Sequence, residues 1–300
     1  DEIRNGGDRM KRSQVLASLN GKGFENPAFL KVLEALHKEV PIVSLIAPED
    51  VREEHLEATR FWVVVGGDGT LNGAVNAVMK VPPALRRPIC YLPSGTGNDF
   101  ARSLGLDEKD PLDVVKDALE GKGFQKLTVG RCNADYLINV ATGGLFATVT
   151  PEADPQLKKI AGRWSYFLNG IGKMAERKPF SVRIDGGESV AILGFFVGNA
   201  RYVGGGIQVT PGGDPFDRTL EFLAIPEMPT KDLLSLGLEL QKEEPDLSGF
   251  PVIHKKVSEL KLSFREEIPI NLDGEQIKTT EAKFTVHPEA VEIYVPNEIS

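Results

Sequence analysis

Through the first 125 residues, compact apolar runs alternate with segments whose apolar positions recur every three or four residues. SQVLASLN, VPIVSLIA, FWVVVGG and PICYLPSG have the length and apolar density of buried strands. FWVVV is apolar without a break, the pattern of a strand covered on both faces in a parallel sheet. Between these runs lie helical segments. AFLKVLEALHKE is opened by Asn26 as cap and Pro27 at the first helical position. PEDVREEHLEATR reads as a short acidic-to-basic helix, and TLNGAVNAVMK as the next. NDFARSLG ends at Gly105, and DPLDVVKDALE opens at Asp110-Pro111 and ends at Gly121. This alternation predicts an α/β domain, an open parallel sheet with helices on both faces.

After Gly123 the pattern changes. FQKLTVGRCNADYLINVATGG reads as two strands. FSVRIDGG and ESVAILGFFVGN follow, joined by a Gly-Gly turn. VSELKLSF, IPINLDG, EQIKTT, AKFTVHP and AVEIYVP continue at short, turn-punctuated spacing, so this half should be mainly antiparallel β. One helical segment, roughly 155–177, interrupts it. The expected division is an α/β domain over 1–125 and a β-sandwich over 126–300, the last residues returning to the first domain.

A chain of 300 residues has room for two cores, and 41% hydrophobic with 26% charged residues is ordinary globular usage. Disordered and collagen-like classes are excluded. The net charge of −8 argues against a duplex nucleic-acid partner. Cys90 and Cys132 are the two cysteines, too few for a disulfide framework and without metal-type spacing, which points to a reducing cytoplasmic setting. The longest uncharged apolar stretch, VAILGFFVGNA, has 11 residues, far short of the ~20 of a membrane-spanning helix. The opening DEIRNGGDRMKRS has no apolar core of the signal-peptide kind, and Met10 is a candidate native start after an expression remnant. His37, His55, His254 and His287 are scattered without ligand spacing.

The 155–180 segment carries Lys158, Lys159, Arg163, Lys173, Arg177 and Lys178 against Glu176, a net +5. Trp164, Phe167, Leu168 and Ile171 fall near one helical face. One reading is a helix leaning on the anionic inner face of a membrane, a transient peripheral contact. The blander reading, and the commoner fate of such helices, is apolar packing with solvated charges.

The sharpest chemistry lies in two glycine turns. VVVGGDGTLN runs a buried strand into Gly66-Gly67-Asp68-Gly69-Thr70 and then into a helix. Glycines let backbone approach a phosphate closely, and the helix N-terminus presents N–H groups to the anion. Asp68 is placed to hold Mg2+ or order an attacking hydroxyl; the alternative is an Asp cap on a tight turn. CYLPSGTGNDFAR repeats the arrangement after the next strand, with Asn98 or Asp99 as cap. Adjacent strands would set both turns side by side at the carboxyl edge of the sheet, where ligands of open α/β sheets bind. There is no GxxxxGK[ST] and no GxGxxG, so P-loop and dinucleotide-fold readings are disfavoured.

GGDGTLN followed by PSGTGNDFAR resembles the diacylglycerol/sphingosine kinase superfamily, and INVATGGLFATVT, GNARYVGGGIQVTPGG and NLDGEQI resemble its bacterial YegS-type lipid kinases in order and spacing. The resemblance runs from about residue 15 to 295. It implies an N-terminal nucleotide domain like that of NAD kinase and phosphofructokinase, a C-terminal β-sandwich for the lipid, and transfer of the ATP γ-phosphoryl group to a lipid hydroxyl at a site between them. Carried over by position, Gly66, Gly67, Asp68, Gly69, Thr70, Leu71 and Asn72 cradle the ATP phosphates and Thr96 contacts the nucleotide. The carboxylate after Asp-Gly, here Glu275, is implied as proton acceptor, with Asp68 as the second catalytic carboxylate. By residue pattern alone Asp273-Gly274-Glu275 is an ordinary hairpin turn.

Three positions depart from the family pattern. Ala47 stands where a nucleotide-contacting threonine is expected, Gly73 where GGDGTxNE has its glutamate, and Arg218 where Asp-Gly has its glycine. The family's structural metal site maps to Asp217 with backbone carbonyls near Asp214 and Thr219, with Mg2+ or Ca2+ as the hard cation. The rival readings are a kinase-inactive lipid-binding protein and an NAD kinase-like small-molecule kinase.

Overall fold

The apolar run at 61–65 becomes the middle of a parallel sheet, buried on both faces. The computed structural model describes residues 14–19, 27–39, 42–148 and 179–296. The expectations for Met10, the Asn26 cap and the 155–177 segment lie outside the described residues. The chain divides into two units, Asp1–Thr128 with Pro288–Ser300, and Val129–His287.

In the first unit the order is β1 (Gln14–Leu19), α1 (Pro27–Glu39), β2 (Ile42–Leu45), α2 (Glu53–Glu57), β3 (Thr59–Gly66), α3 (Asp68–Met79), β4 (Ile89–Pro93), α4 (Asp99–Ser103) and α5 (Pro111–Leu119). The strands pair in parallel as β2-β1-β3-β4, and Ile293 adds a returning strand beside Ile89. Helical spacing decides what each helix buries. Phe29, Val32 and Leu36 of α1, Leu71, Val75 and Val78 of α3, and Val114, Val115 and Ala118 of α5 are all buried. The Asp110 side chain caps α5 by accepting the Leu112 N–H at 2.8 Å. Trp62 is fully buried, and its indole N–H donates to Ser18 Oγ at 3.0 Å, so the one polar atom of that large side chain is satisfied.

PEDVREEHLEATR is not one helix. A 3-10 turn, Pro48–Asp50, and the five-residue α2 are separated by extended backbone at Val51 and Arg52. Val51 and Leu56 are both buried, and five positions apart they cannot share one helical face, so the chain breaks between them.

The second unit contains the end of β5 (Phe124–Cys132), β6 (Asp135–Leu137), β7 (Val140–Gly144), β8 (Phe180–Ile184), β9 (Ser189–Gly198), β10 (Tyr202–Val203), β11 (Ile207–Gln208), β12 (Leu220–Pro226), α6 (Thr230–Glu239), β13 (Ile253–Val257), β14 (Glu259–Leu272) and most of β15 (Glu275–Tyr294). The order β13-β12-β9-β7-β14-β15 is antiparallel throughout, and β8 also joins β9 to β14. β9 is buried on both faces. Phe195 and Val197 enter one core with Phe222, Leu262 and Phe284. Phe196 enters another with Leu223, Leu233 and Leu236, the last two from α6.

Two further expectations are corrected. The five short runs after residue 257 merge into the two long strands β14 and β15, with a register shift between Ser263 and Ile268 in place of a turn. PTKDLLSLGLEL forms α6, a helix beyond the one expected in this half, whose Leu233 and Leu236, with Leu240 just past its end, cover the second face of the sheet.

Candidate active site

β3 and β4 are neighbours, with Gly66 paired to Pro93, so the two glycine turns leave the sheet side by side at its carboxyl edge. Their contact is closer than any side chain permits. A Cβ on Gly95 would stand 2.5 Å from Gly67 Cα and 3.2 Å from Gly67 N. The Ser94 N–H donates to Gly66 O at 2.8 Å, and Asn98, at φ 50°, accepts the Gly95 N–H at 3.0 Å.

Asp68 fastens the turns together. Its Oδ2 accepts the Asp99 N–H at 3.0 Å and its Oδ1 accepts the Phe100 N–H at 2.9 Å. The capping carboxylate of α4 therefore comes from the other turn, not from Asn98 or Asp99. These are charge-assisted bonds to amides that the first turn of a helix leaves without intrahelical partners. Behind them the Tyr91 hydroxyl donates to Gly66 O at 3.2 Å. Burial, with the Asp68 and Asp99 carboxylates adding to it, holds that phenol far above its ordinary pKa, so it stays a donor. Asp99 is itself buried, with Arg102 Nη1 at 3.7 Å.

Fewer amides of the motif are free to donate than its length suggests. In α3 the Thr70 and Leu71 N–H groups turn back to Gly67 O at 3.1 and 3.2 Å, which leaves those of Asp68 and Gly69 as donors to an anion. Gly69 and Thr96 are exposed, and no atom stands within 4 Å of a Cβ placed on Gly69. Leu71 and Asn72 face inward: Leu71 is fully buried, and Asn72 Oδ1 accepts from Asn76 Nδ2 at 2.7 Å. They shape the turn from behind.

Two departures from the family pattern fall together. Ala47 precedes the Pro48–Asp50 turn, and a Cβ on Gly73 would lie 3.5 Å from Pro48 Cβ. A cavity of about 480 Å³ lined by Pro48, Arg52, Gly73, Asn76 and Lys80 opens there.

In the second unit Glu275 is exposed at the first position of β15, paired opposite Leu272 across the two-residue loop Asp273-Gly274. Asp217 makes a compact turn: Oδ1 accepts the Thr219 N–H at 2.8 Å and Oδ2 the Thr219 hydroxyl at 2.9 Å. Oδ2 also takes the Lys256 ammonium at 2.9 Å. Asp214 Oδ1 accepts the Phe216 N–H at 2.9 Å. A hard divalent cation wants several oxygen ligands, and here the positive charge on Asp217 is already a lysine, with Arg218 next in sequence. The side-chain oxygens of Asp214, Asp217 and Thr219 are thus engaged with backbone amides, with one another and with Lys256. Among the described residues no three His, Cys, Asp or Glu side chains gather into a metal site. Lys256 was missed by sequence reasoning because only the β12–β13 pairing brings it near Asp217. No helix among the described residues is long and apolar enough to cross a membrane.

Comparisons with known proteins agree with this architecture. Residues 19–132 match the diacylglycerol kinase catalytic domain, and residues 139–295 match the YegS C-terminal NAD kinase beta sandwich-like domain. The chain is 32% identical over 267 residues to a Chromohalobacter salexigens protein named "Probable lipid kinase YegS-like", covering 86% of this chain and 85% of that one. It is 28% identical over 292 residues to the diacylglycerol kinase of Staphylococcus carnosus, covering 95% and 90%. Among solved structures, a Bacillus anthracis diacylglycerol kinase superposes with a TM-score of 0.77 at 20% identity, covering 96% of this chain and 99% of that one. An Archaeoglobus fulgidus NAD kinase in complex with ATP superposes at 0.52 with 17% identity, covering 95% and 94%, a likeness of fold alone.

Proposed function

The chain belongs to the lipid kinases that join a diacylglycerol kinase catalytic domain to a YegS-type C-terminal domain, and from that membership we propose how its residues divide the work of phosphoryl transfer. It is an ATP-dependent lipid kinase. The observation that carries the proposal is the Asp68 clamp, which makes one rigid surface of the Gly66–Thr70 and Gly95–Gly97 turns.

Phosphoryl transfer needs little covalent chemistry from the protein; it needs the phosphates and the acceptor oxygen held in line and their charge offset. The Asp68 and Gly69 N–H groups at the start of α3 take the phosphate oxygens, and Thr96 contacts the nucleotide from the second turn. Asp68 holds this surface in shape. A divalent cation carried with the ATP would offset charge on the phosphates; among the described residues no three His, Cys, Asp or Glu side chains gather to hold it in advance. Glu275, exposed and with its carboxylate in no hydrogen bond or ion pair among the described residues, accepts the proton of the lipid hydroxyl. The acceptor is a lipid hydroxyl of the diacylglycerol type, the substrate class named for several relatives. At Asp217 the Lys256 ammonium stands in for a structural cation.

The division of labour is tested with Glu275→Gln. ATP affinity by calorimetry should stay within about twofold of the parent, while kcat for lipid phosphorylation falls ~10²-fold, the lower end for a general base. A parent-like kcat would remove Glu275 as proton acceptor.

A further inference from the structure

β14 leaves its ladder with β7 at Leu272, which pairs with Ala141. The three backbone N–H groups just before that pair, of Ile138, Asn139 and Val140, therefore need partners elsewhere. One side chain supplies all of them. Asp273 Oδ2 accepts the Ile138 N–H at 2.6 Å, and Oδ1 accepts those of Asn139 and Val140 at 3.1 and 3.0 Å. Only an ionised carboxylate offers two acceptor oxygens with no donor of its own.

The 138–140 strap is fixed on its other side as well. Asn139 O accepts the N–H groups of Asn199 and Ala200 at 2.8 and 3.1 Å, and Asn199 Nδ2 donates to Ile138 O at 3.0 Å. The loop carrying Asp273 is closed by the Leu272–Glu275 pair, with Asp273 at φ 49° and Gly274 at φ 109°, and Asn271 Oδ1 accepts the Gly274 N–H at 2.9 Å. An Asp-Gly hairpin forms from those dihedrals alone and asks nothing of a third strand. The three-amide clamp exceeds what the turn needs, and it acts on the residue two positions before Glu275.

We infer that Asp273 is a positioning residue: its clamp on the 138–140 amides fixes the β14–β15 turn so that Glu275 is presented to the lipid hydroxyl in one orientation. This rests on Glu275 as proton acceptor. Asp273 itself touches no substrate and moves no proton.

The test is a double-mutant cycle on the full-length protein with ATP and dispersed diacylglycerol. Asp273→Asn keeps a residue that tolerates positive φ but leaves one acceptor oxygen and sets an NH2 against backbone donors. It should lower kcat about tenfold or more while ATP affinity stays within about twofold. In a Glu275→Gln background the same change should cost almost nothing, because both act on one step. Asp273→Gly favours the hairpin backbone, removes the carboxylate, and should show the same coupling even where Asp273→Asn folds poorly. Multiplying losses in the double variants, or a parent rate for both Asp273 variants, overturns the positioning role and leaves Glu275 in place. A parent rate for Glu275→Gln overturns both readings.

Discussion

The carboxylate of Asp68 accepts the backbone N–H of Phe100 at 2.9 Å, fastening the turn after β3 to the helix after β4. With its second bond, to Asp99, it does for α4 what a local cap does for most helices. A carboxylate that motif reading assigns to metal or acid–base work is thus spent largely on architecture.

Asp68→Asn should therefore act through shape. The amide keeps one acceptor oxygen and turns its NH2 toward a backbone donor, so one charge-assisted bond of ~1.5–3 kcal/mol is lost. ATP affinity and kcat should fall together, by about tenfold or more each, with a lowered melting temperature. Calorimetry beside the lipid assay checks this; a parent-like ATP affinity with kcat alone reduced would instead make Asp68 a chemical participant.

Gly95→Ala places a methyl group 2.5 Å from Gly67 Cα, inside any van der Waals contact, so the two turns must separate. Nucleotide binding should weaken at least about tenfold, since 1.4 kcal/mol of strain carried into the site already does so. Gly249→Ala, where no atom lies within 4 Å of the added carbon, is the control and should bind ATP like the parent. Equal affinities for the two variants would mean that the close approach does not shape the site.

At Asp217 the ion pair with Lys256 makes a statement about cations. The melting temperature of the parent should not respond to EDTA or to millimolar Ca2+. Lys256→Met removes the ammonium and leaves the carboxylate with the Thr219 bonds, so any response to Ca2+ should appear there first; saturation at 100 times a site's Kd adds about 2.7 kcal/mol. A parent that melts lower in EDTA would restore the divalent site.

Much of this was legible in the sequence, for identifiable reasons. FWVVV announced a strand buried on both faces, and strand ends followed by glycines located the paired turns, because both signals are local. What escaped notice depends on distant pairings. Lys256 meets Asp217 only through the antiparallel register of β12 and β13. The three amides held by Asp273 lie 133 to 135 positions away along the chain. Asp68 is legible in its turn as either a chemical carboxylate or a cap, but the amides it holds belong to the next strand–helix unit, so which helix it caps is not local information. Helix α6 was hidden among strands, although its leucines keep helical spacing.

The most direct measurement follows the γ-phosphoryl group itself. With γ-labelled ATP, Mg2+ and a panel of dispersed lipids bearing free hydroxyls, diacylglycerol among them, the label should appear in a phosphorylated lipid in step with ADP release. Product formation should drop in Glu275→Gln at unchanged ATP affinity. Label passing to water or to NAD, with no phosphorylated lipid from any member of the panel, would contradict the account.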